Sequence, residues 1–345
     1  MARVTMRAVA EKAGVSLSTV SRVISGNHEN ISETMLARVM AAIGETGYQM
    51  PDRPKQPAEN RHIRIGLLLT NVQNEFMSCL MAGIFSVTDN YDMEVYVRDY
   101  KLNVARERKG LEMFVSAGVD GIIAANVGDG KLNPYYQTVI DKKIPLVMVS
   151  NTRTHLDEKG ISLVRNDSYK AMRMGFRYLV SLGHEKILFL GFPGARSRFR
   201  YWALALEQEH KAMGKPVDKK AFLDCENSFQ GAYITIDKLC KESRFHYSAI
   251  FAVSSGVALG AAEALRANKL APYEGVSILG YDDSSAAQYA GLTAIAEPMH
   301  TLGINAAYMI MDLINGKQTG DQTLVLQNSL EIRTSCRRKE RGDLR

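Results

Sequence analysis

Ala10-Glu11-Lys12-Ala13-Gly14-Val15-Ser16-Leu17-Ser18-Thr19-Val20-Ser21-Arg22-Val23-Ile24-Ser25-Gly26 is the stretch on which the reading of this chain turns. Val9, Ala10 and Ala13 make an apolar stripe at helical spacing, and Val20, Val23 and Ile24 make a second at i, i+3, i+4. Between the stripes, Gly14 tolerates the left-handed geometry of a helix end, and Ser16 suits the N-cap of the next helix. The spacing predicts two short helices within residues 5–25, joined by a tight turn. A third is expected to start at the cap Ser32, bury Leu36, Val39, Met40 and Ile43, and stop at Gly47. Such a pair fits a helix-turn-helix, whose second helix enters the major groove while the first crosses the backbone. By periodicity alone, a three-helix bundle with a solvated polar face fits equally well.

The polar face has chemistry suited to DNA. Leu17, Ser18, Ser21, Arg22 and Ser25 are left on the outer side of the second helix. An arginine such as Arg22 can grip guanine O6 and N7 with two bonds, while Ser18 and Leu17 suit a base edge or a thymine methyl. Thr5, Ser16, Thr19, Ser21 and Ser25 supply hydroxyls that reach phosphates. Charge does not decide the matter, because residues 1–62 hold eight Lys/Arg against six Asp/Glu. The whole chain of 345 residues carries a mild net charge of +6, which permits a polyanionic partner without requiring one.

The quoted stretch resembles the headpiece signature of the LacI/GalR family, and Ile31-Ser32-Glu33-Thr34 and Ala41-Ala42-Ile43 through Gly47-Tyr48 continue the likeness. The resemblance implies base-reading positions at Leu17, Ser18 and Arg22, and phosphate positions at Thr5, Ser16, Ser21 and Ser25. It also implies a ligand-controlled, sequence-specific repressor acting on a near-palindromic double-stranded operator as a homodimer.

Residues 49–62 are polar and hold three prolines, which reads as a linker. Family members usually place a hinge helix here, with a leucine that wedges into the minor groove. In this chain Arg53 falls near the leucine position, and Pro51, Pro54 and Pro57 oppose a helix interior. The wedge is therefore not expected. Arg53 and Lys55 suit phosphate or a narrow minor groove, and a solvated tether fits the composition equally well.

From Ile63 onward, short apolar runs alternate with helix-length segments. The runs are Ile65–Leu69, Val95–Val97, Val119–Ala124, Leu146–Val149, Ile187–Leu190, Ala249–Val253 and Val276–Leu279. Their β-branched, often wholly apolar composition suits parallel strands buried on both faces. The helical segments include Met77–Thr88, Arg106–Ala117, Lys170–Leu182, Arg200–Met213 and Val257–Ala267. This alternation predicts an α/β body of parallel sheets, and its size favours two lobes. Ser181-Leu182-Gly183-His184-Glu185-Lys186-Ile187, Val276–Asp283, Leu292-Thr293 to Pro298 and Leu302-Gly303 resemble segments of the same family. The fold implied is that of periplasmic sugar-binding proteins, with an effector in the interlobe cleft beyond the strand C-termini.

Carried over by position, effector contacts are expected at Asn74, Phe76, Ser150, Arg198, Asn227, Ser254 and Asp282. A guanidinium at Arg198 suits hydroxyls or a carboxylate. Glu75 replaces a common proline, Ser150 a common aspartate, and Ser254-Ser255 the usual Asn-Asp, while Asn227 falls near a position often aromatic. These replacements remove side chains that grip a hexose, so the effector is expected to be a sugar or sugar derivative that is smaller, differently charged or phosphorylated.

Other classes find little support. No run approaches ~18 consecutive apolar residues, and the N-terminal residues lack a secretory pattern, so a cytoplasmic, nucleoid-associated bacterial protein is expected, with no membrane partner. Cys79, Cys225, Cys240 and Cys336 lie far apart, which suits reduced thiols rather than disulfides or zinc. There is no Gly-x-Ser-x-Gly, His-Glu-x-x-His or P-loop, and neither a catalytic site, a metal nor a cofactor is expected. The division read from the sequence is a helix-turn-helix headpiece over 1–48, a linker over 49–62, a two-lobed effector and dimerisation body over 63–335, and a basic tail over 336–345.

Overall fold

The structure is a computed structural model. It describes residues 6–24, 33–46, 62–73, 75–91, 93–126, 132–150, 160–191, 204, 207–208, 221–317 and 321–339. The chain divides into two compact units, Met1–Arg61 and His62–Arg345.

The first unit contains α1 (Met6–Ala13), α2 (Leu17–Ile24) and α3 (Glu33–Thr46). Its core is built by Val9, Ala10, Ala13, Val20, Val23, Val39 and Ala42, the apolar stripes of the three helices folded together. The turn between α1 and α2 is closed by the glycine, as the sequence suggests. Gly14 has φ +61°, the Gly14 N–H donates to Glu11 O, and the Val15 N–H donates to Ala10 O at 3.1 Å. These two bonds form a Schellman end, which satisfies carbonyls that the last helical turn would otherwise leave bare. Arg38 of α3 then donates to Ala13 O at 2.6 Å, fastening the third helix to this turn.

The second unit holds two six-stranded sheets. The first has the order β11-β5-β4-β3-β1-β2, with β1 (Arg64–Leu69), β2 (Glu94–Asp99), β3 (Gly121–Asn126), β4 (Leu146–Ser150), β5 (Ser162–Asn166) and β11 (Thr323–Leu326) all parallel. The second has the order β12-β10-β9-β8-β6-β7, with β6 (Ile187–Gly191), β7 (Phe222–Asp224), β8 (Ala249–Ala252), β9 (Ser277–Tyr281) and β10 (Thr293–Ala296) parallel, and β12 (Ser329–Glu331) antiparallel at its edge. Further α-helices among the described residues include α4 (Glu75–Thr88), α5 (Val104–Ala117), α6 (Tyr135–Asp141), α7 (Ser168–Ser181), α8 (Phe229–Lys241), α9 (Ser255–Ala267), α10 (Ser285–Tyr289) and α11 (Met299–Ile314).

The chain passes between the lobes three times. β5 leads into α7, which packs on the second sheet; β10 leads into α11, which packs on the first; and β11 leads into β12. Helices α4 and α11 cross at bare backbone. A Cβ on Gly83 would stand 2.1 Å from His300 O, and one on Gly303 would stand 2.2 Å from Leu80 O.

Helices begin earlier than their apolar pattern because polar side chains cap them. Asn103 Oδ1 accepts the Arg106 N–H, Asp167 Oδ1 accepts the Lys170 N–H, and Ser254 Oγ accepts the Val257 N–H. Strands β5, β7, β10, β11 and β12 were not among the expected apolar runs. β7, β11 and β12 are short and half-exposed, and β5 carries Arg165, so none reads as a buried run. Most of the expected helix Arg200–Met213 lies outside the described residues. Residues 336–339, the start of the expected basic tail, lie against the second lobe. Cys336 is buried, the Arg337 N–H donates to Ser277 Oγ at 3.1 Å, and the Lys339 N–H donates to Leu182 O at 2.8 Å.

Among the described residues no helix is long and apolar enough to cross a membrane, and no group of three or more His, Cys, Asp or Glu could hold a metal ion. The four cysteines are unbridged. Burial pushes the thiols of Cys225 and Cys240 up to about 11 and that of Cys336 up to about 12, which disfavours the thiolate form.

Candidate DNA-reading helix and interlobe cleft

α2 is set in place by Ser16. Its Oγ accepts the Thr19 N–H at 3.1 Å and bonds Ser18 Oγ at 2.7 Å and Thr19 Oγ1 at 2.8 Å, so three hydroxyls gather at the start of the helix. Ser18 is exposed, Ser21 half-buried, and Thr19 buried at 7% exposure with its hydroxyl held by Ser16. Thr19 therefore serves the turn itself. Leu17 and Arg22 lie on α2. Thr5, Ser25 and Arg53 lie outside the described residues.

The cleft follows from topology. β5 and β11 leave the first sheet at their C-terminal ends, with one and two residues respectively between them and elements of the other lobe, and the whole sheet is parallel. All six C-terminal ends therefore line the edge that faces the second lobe. The same argument applied to β10 turns the C-terminal ends of β6, β7, β8 and β9 toward the first lobe. Ligands of open α/β sheets bind at such edges.

Of the expected effector positions, Ser150 ends β4 and is buried, while Phe76 lies in the first turn of α4, half-buried against the lobe's core. Asn227 follows β7, Ser254 follows β8, and Asp282 follows β9. The structure joins two of these directly, since Ser254 Oγ donates to Asn227 Oδ1 at 3.0 Å. Asn74 and Arg198 lie outside the described residues.

Asp282 has a structural duty beside its place on the cleft edge. Its Oδ1 accepts the Ser255 N–H at 2.9 Å and the Ser255 hydroxyl at 2.6 Å. The Ser254-Ser255 pair thus divides two tasks, the first capping α9 and the second holding Asp282. Asp282 and Asp283 have φ +80° and +41°, two consecutive non-glycine residues in left-handed geometry. Such strain persists only where neighbours over-determine it. Here Arg333 grips both carboxylate oxygens of Asp283, at 2.6 and 3.0 Å, and also donates to Leu292 O. The Asp283 side chain is only 9% exposed and belongs to this ion pair.

Several contributors were not anticipated. Glu75, noted in sequence only as the replacement of a proline, reaches the opposite lobe, where its Oε1 accepts the N–H and hydroxyl of Ser285. Asn166 donates to Glu297 Oε1 at 2.6 Å, joining two of the crossing segments. Away from the cleft, Glu107 is buried and accepts from Tyr136 and Asn133. Burial raises its carboxyl above the ordinary value of 4.5, and these two hydrogen bonds only partly oppose that.

A helical headpiece with a capped second helix and a two-lobed parallel α/β body define a ligand-sensing regulator in architecture. Residues 5–51 match the family described as bacterial regulatory proteins of the lacI type. Residues 62–334 match the periplasmic binding proteins and sugar-binding domain of the LacI family. The chain belongs to the LacI family. It is 26% identical over 339 residues to the HTH-type transcriptional regulator RegA of Clostridium saccharobutylicum, covering 96% of this chain and 98% of that protein. It is 27% identical over 341 residues to the ribose operon repressor of Haemophilus influenzae, covering 96% and 98%. With the repressor CytR of Escherichia coli K12 it shares 25% identity over 337 residues, covering 96% of each. Among solved structures, the Lac repressor dimer bound to operator and the anti-inducer ONPF matches with a TM-score of 0.70 at 24% identity, over 97% of this chain and 99% of that one. The CelR–cellobiose complex matches with a TM-score of 0.69 at 24% identity, over 97% and 100%. These two likenesses establish the fold.

Proposed function

We propose that this chain is a cytoplasmic transcriptional repressor, not an enzyme, which binds a near-palindromic operator as a homodimer and is controlled by a sugar or sugar derivative in the interlobe cleft. The observation that carries this reading is the union in one chain of a helix-turn-helix family match and a sugar-binding family match. In this reading residues 1–48 are the headpiece, 49–62 the linker, 63–335 the effector and dimerisation body, and 336–345 the tail. Leu17, Ser18 and Arg22 read bases, Thr5, Ser16, Ser21 and Ser25 position the helix on phosphates, and Arg53 adds a linker contact. Thr19, whose hydroxyl is held by Ser16, acts through the turn.

In the body, Asn74, Phe76, Ser150, Arg198, Asn227, Ser254 and Asp282 form the effector site. The repressor named for the ribose operon and the cellobiose complex among its relatives support a carbohydrate ligand. One headpiece reads only a few base pairs, so two-fold symmetry of protein and operator go together. The test is selection of retained duplexes from a random pool by the purified protein. The expected result is an enriched near-palindrome whose half-sites lose enrichment in Arg22→Ala. Absence of any enriched sequence at low salt, with the protein folded and with selections run both without ligand and with a panel of sugars and sugar phosphates, overturns the reading.

A further inference from the structure

We propose that Glu75 and Ser285 form a clasp that holds the two lobes together across the cleft. Glu75 is the first residue of α4 on the first lobe, and Ser285 is the first residue of α10 on the second. One carboxylate oxygen, Glu75 Oε1, accepts the Ser285 N–H at 2.9 Å and its hydroxyl at 2.6 Å. Both are charge-assisted bonds, the stronger kind.

Position decides what this contact does. The bond between Asn166 and Glu297 lies on the crossing segments themselves, so it steadies the pivot. Glu75 instead follows β1, which is separated from the crossing edge strand β11 by β5, β4 and β3. One turn further along α4, Cys79 lies against His300 at the start of the crossing helix α11, so the clasp stands beside that crossing and joins the facing edge of one lobe to the other.

The second-lobe half of the clasp is pre-formed. After β9 the chain passes through the left-handed Asp282 and Asp283, which Ser255 and Arg333 hold. The Ser284 N–H donates to Ser255 Oγ at 3.2 Å, so the start of α10 is anchored on both sides of the turn. The strained turn thereby presents the Ser285 N–H and hydroxyl to the other lobe. The contact then favours the geometry in which the two lobes meet, and a ligand acts by reinforcing the clasp or breaking it. Differential affinity for the closed and open states is what a ligand needs to shift their populations.

The inference goes beyond the regulatory reading and is tested without DNA or effector, so its failure leaves that reading standing. Spin labels at Ala105→Cys and Asp224→Cys, in a Cys79→Ser background, report the lobe separation; both positions are exposed, Ala105 on α5, which follows β2, and Asp224 at the end of β7, and β2 and β7 are the strands farthest from the crossing edges. Labelled chains are diluted into unlabelled ones, and distances are read by pulsed electron resonance. Two variants break the clasp from opposite sides. Glu75→Ala removes the acceptor. Ser285→Pro removes both donors, and proline is tolerated at a first helical position when the preceding residue is extended, as Ser284 is at φ −62°, ψ 161°.

The expected result is a predominantly short distance in the parent with a minor longer-distance population, which rises roughly fivefold relative to the short one in each variant, the upper range for an exposed charged contact. The double variant is expected to match the singles. A parent already at the long distance, variants with the parent's distribution, or a change in only one of the two variants overturns the clasp.

Discussion

Asp283→Ala and Asp283→Gly delete the same ion pair, yet their stabilities should differ in a direction that ordinary propensity does not give. Arg333 holds both carboxylate oxygens of Asp283, with the side chains 23% and 9% exposed respectively. Breaking a fully buried pair costs about 3–5 kcal/mol, and hydrogen bonds to charged groups are worth about 1.5–3 kcal/mol. Because the guanidinium keeps some solvent and its bond to Leu292 O, we expect a loss of about 3 kcal/mol for alanine. Asp283 also sits at φ +41°, where a Cβ is strained by about 1–2 kcal/mol. Glycine escapes that strain, which exceeds its own entropic penalty of about 0.5–1 kcal/mol. Asp283→Gly should therefore be more stable than Asp283→Ala by about 1 kcal/mol, the reverse of their order in a helix. Urea unfolding followed by circular dichroism measures the difference. Alanine equal to or above glycine, or both within about 0.5 kcal/mol of the parent, the range of an ordinary surface change, would refute the argument that the ion pair holds a strained turn.

Gly83→Ala should destabilise the protein by about 2 kcal/mol, since the α4–α11 backbones must separate and overpacking outweighs the gain in helix propensity. The chemically identical Gly256→Ala, whose nearest neighbour would stand at 3.9 Å, should be neutral or stabilising, and the opposed signs are read in the same unfolding assay. Glu107 titrates higher in the folded protein than its ordinary 4.5, so the folded state binds the proton more tightly. The stability this contributes is present below the ordinary value and is lost as pH rises through the folded one. Glu107→Gln should remove that loss, its amide donating to Tyr136 while its carbonyl accepts from Asn133, and stability measured against pH should be flatter than the parent's above pH 4.5.

The headpiece was legible because local chemistry determines it. Gly14, Val15 and Ser16 specify a helix end and a helix start within three residues, and Val9, Val20 and Val39 fill the core that the periodicity assigns them. The central strands were legible for a similar reason, as Ile65–Leu69 and Ile187–Leu190 are buried throughout. Edge strands such as Phe222–Asp224 escaped because half-exposed, three-residue pairings leave no period to read. At the cleft, sequence placed Ser254 and Asp282 on strand ends but could not foresee that Ser255 would hold Asp282, or that Arg333 would hold Asp283 from 50 residues away. Those bonds depend on register between distant strands. Glu75 illustrates the same limit. Its replacement of a proline was visible, and its partner on the other lobe was not.

Ligand-controlled repression requires coupling between the cleft and the DNA. The measurement that tests it is equilibrium affinity for the selected operator, at fixed salt, with and without saturating members of a panel of free pentoses, hexoses and their phosphates. Coupling energies of such systems are typically about 1–3 kcal/mol, so at least one sugar should change operator affinity by about fivefold or more, and operator should change that sugar's affinity by the same factor. Sugars that bind the protein yet leave operator affinity unchanged would contradict the claim that the cleft controls the headpiece.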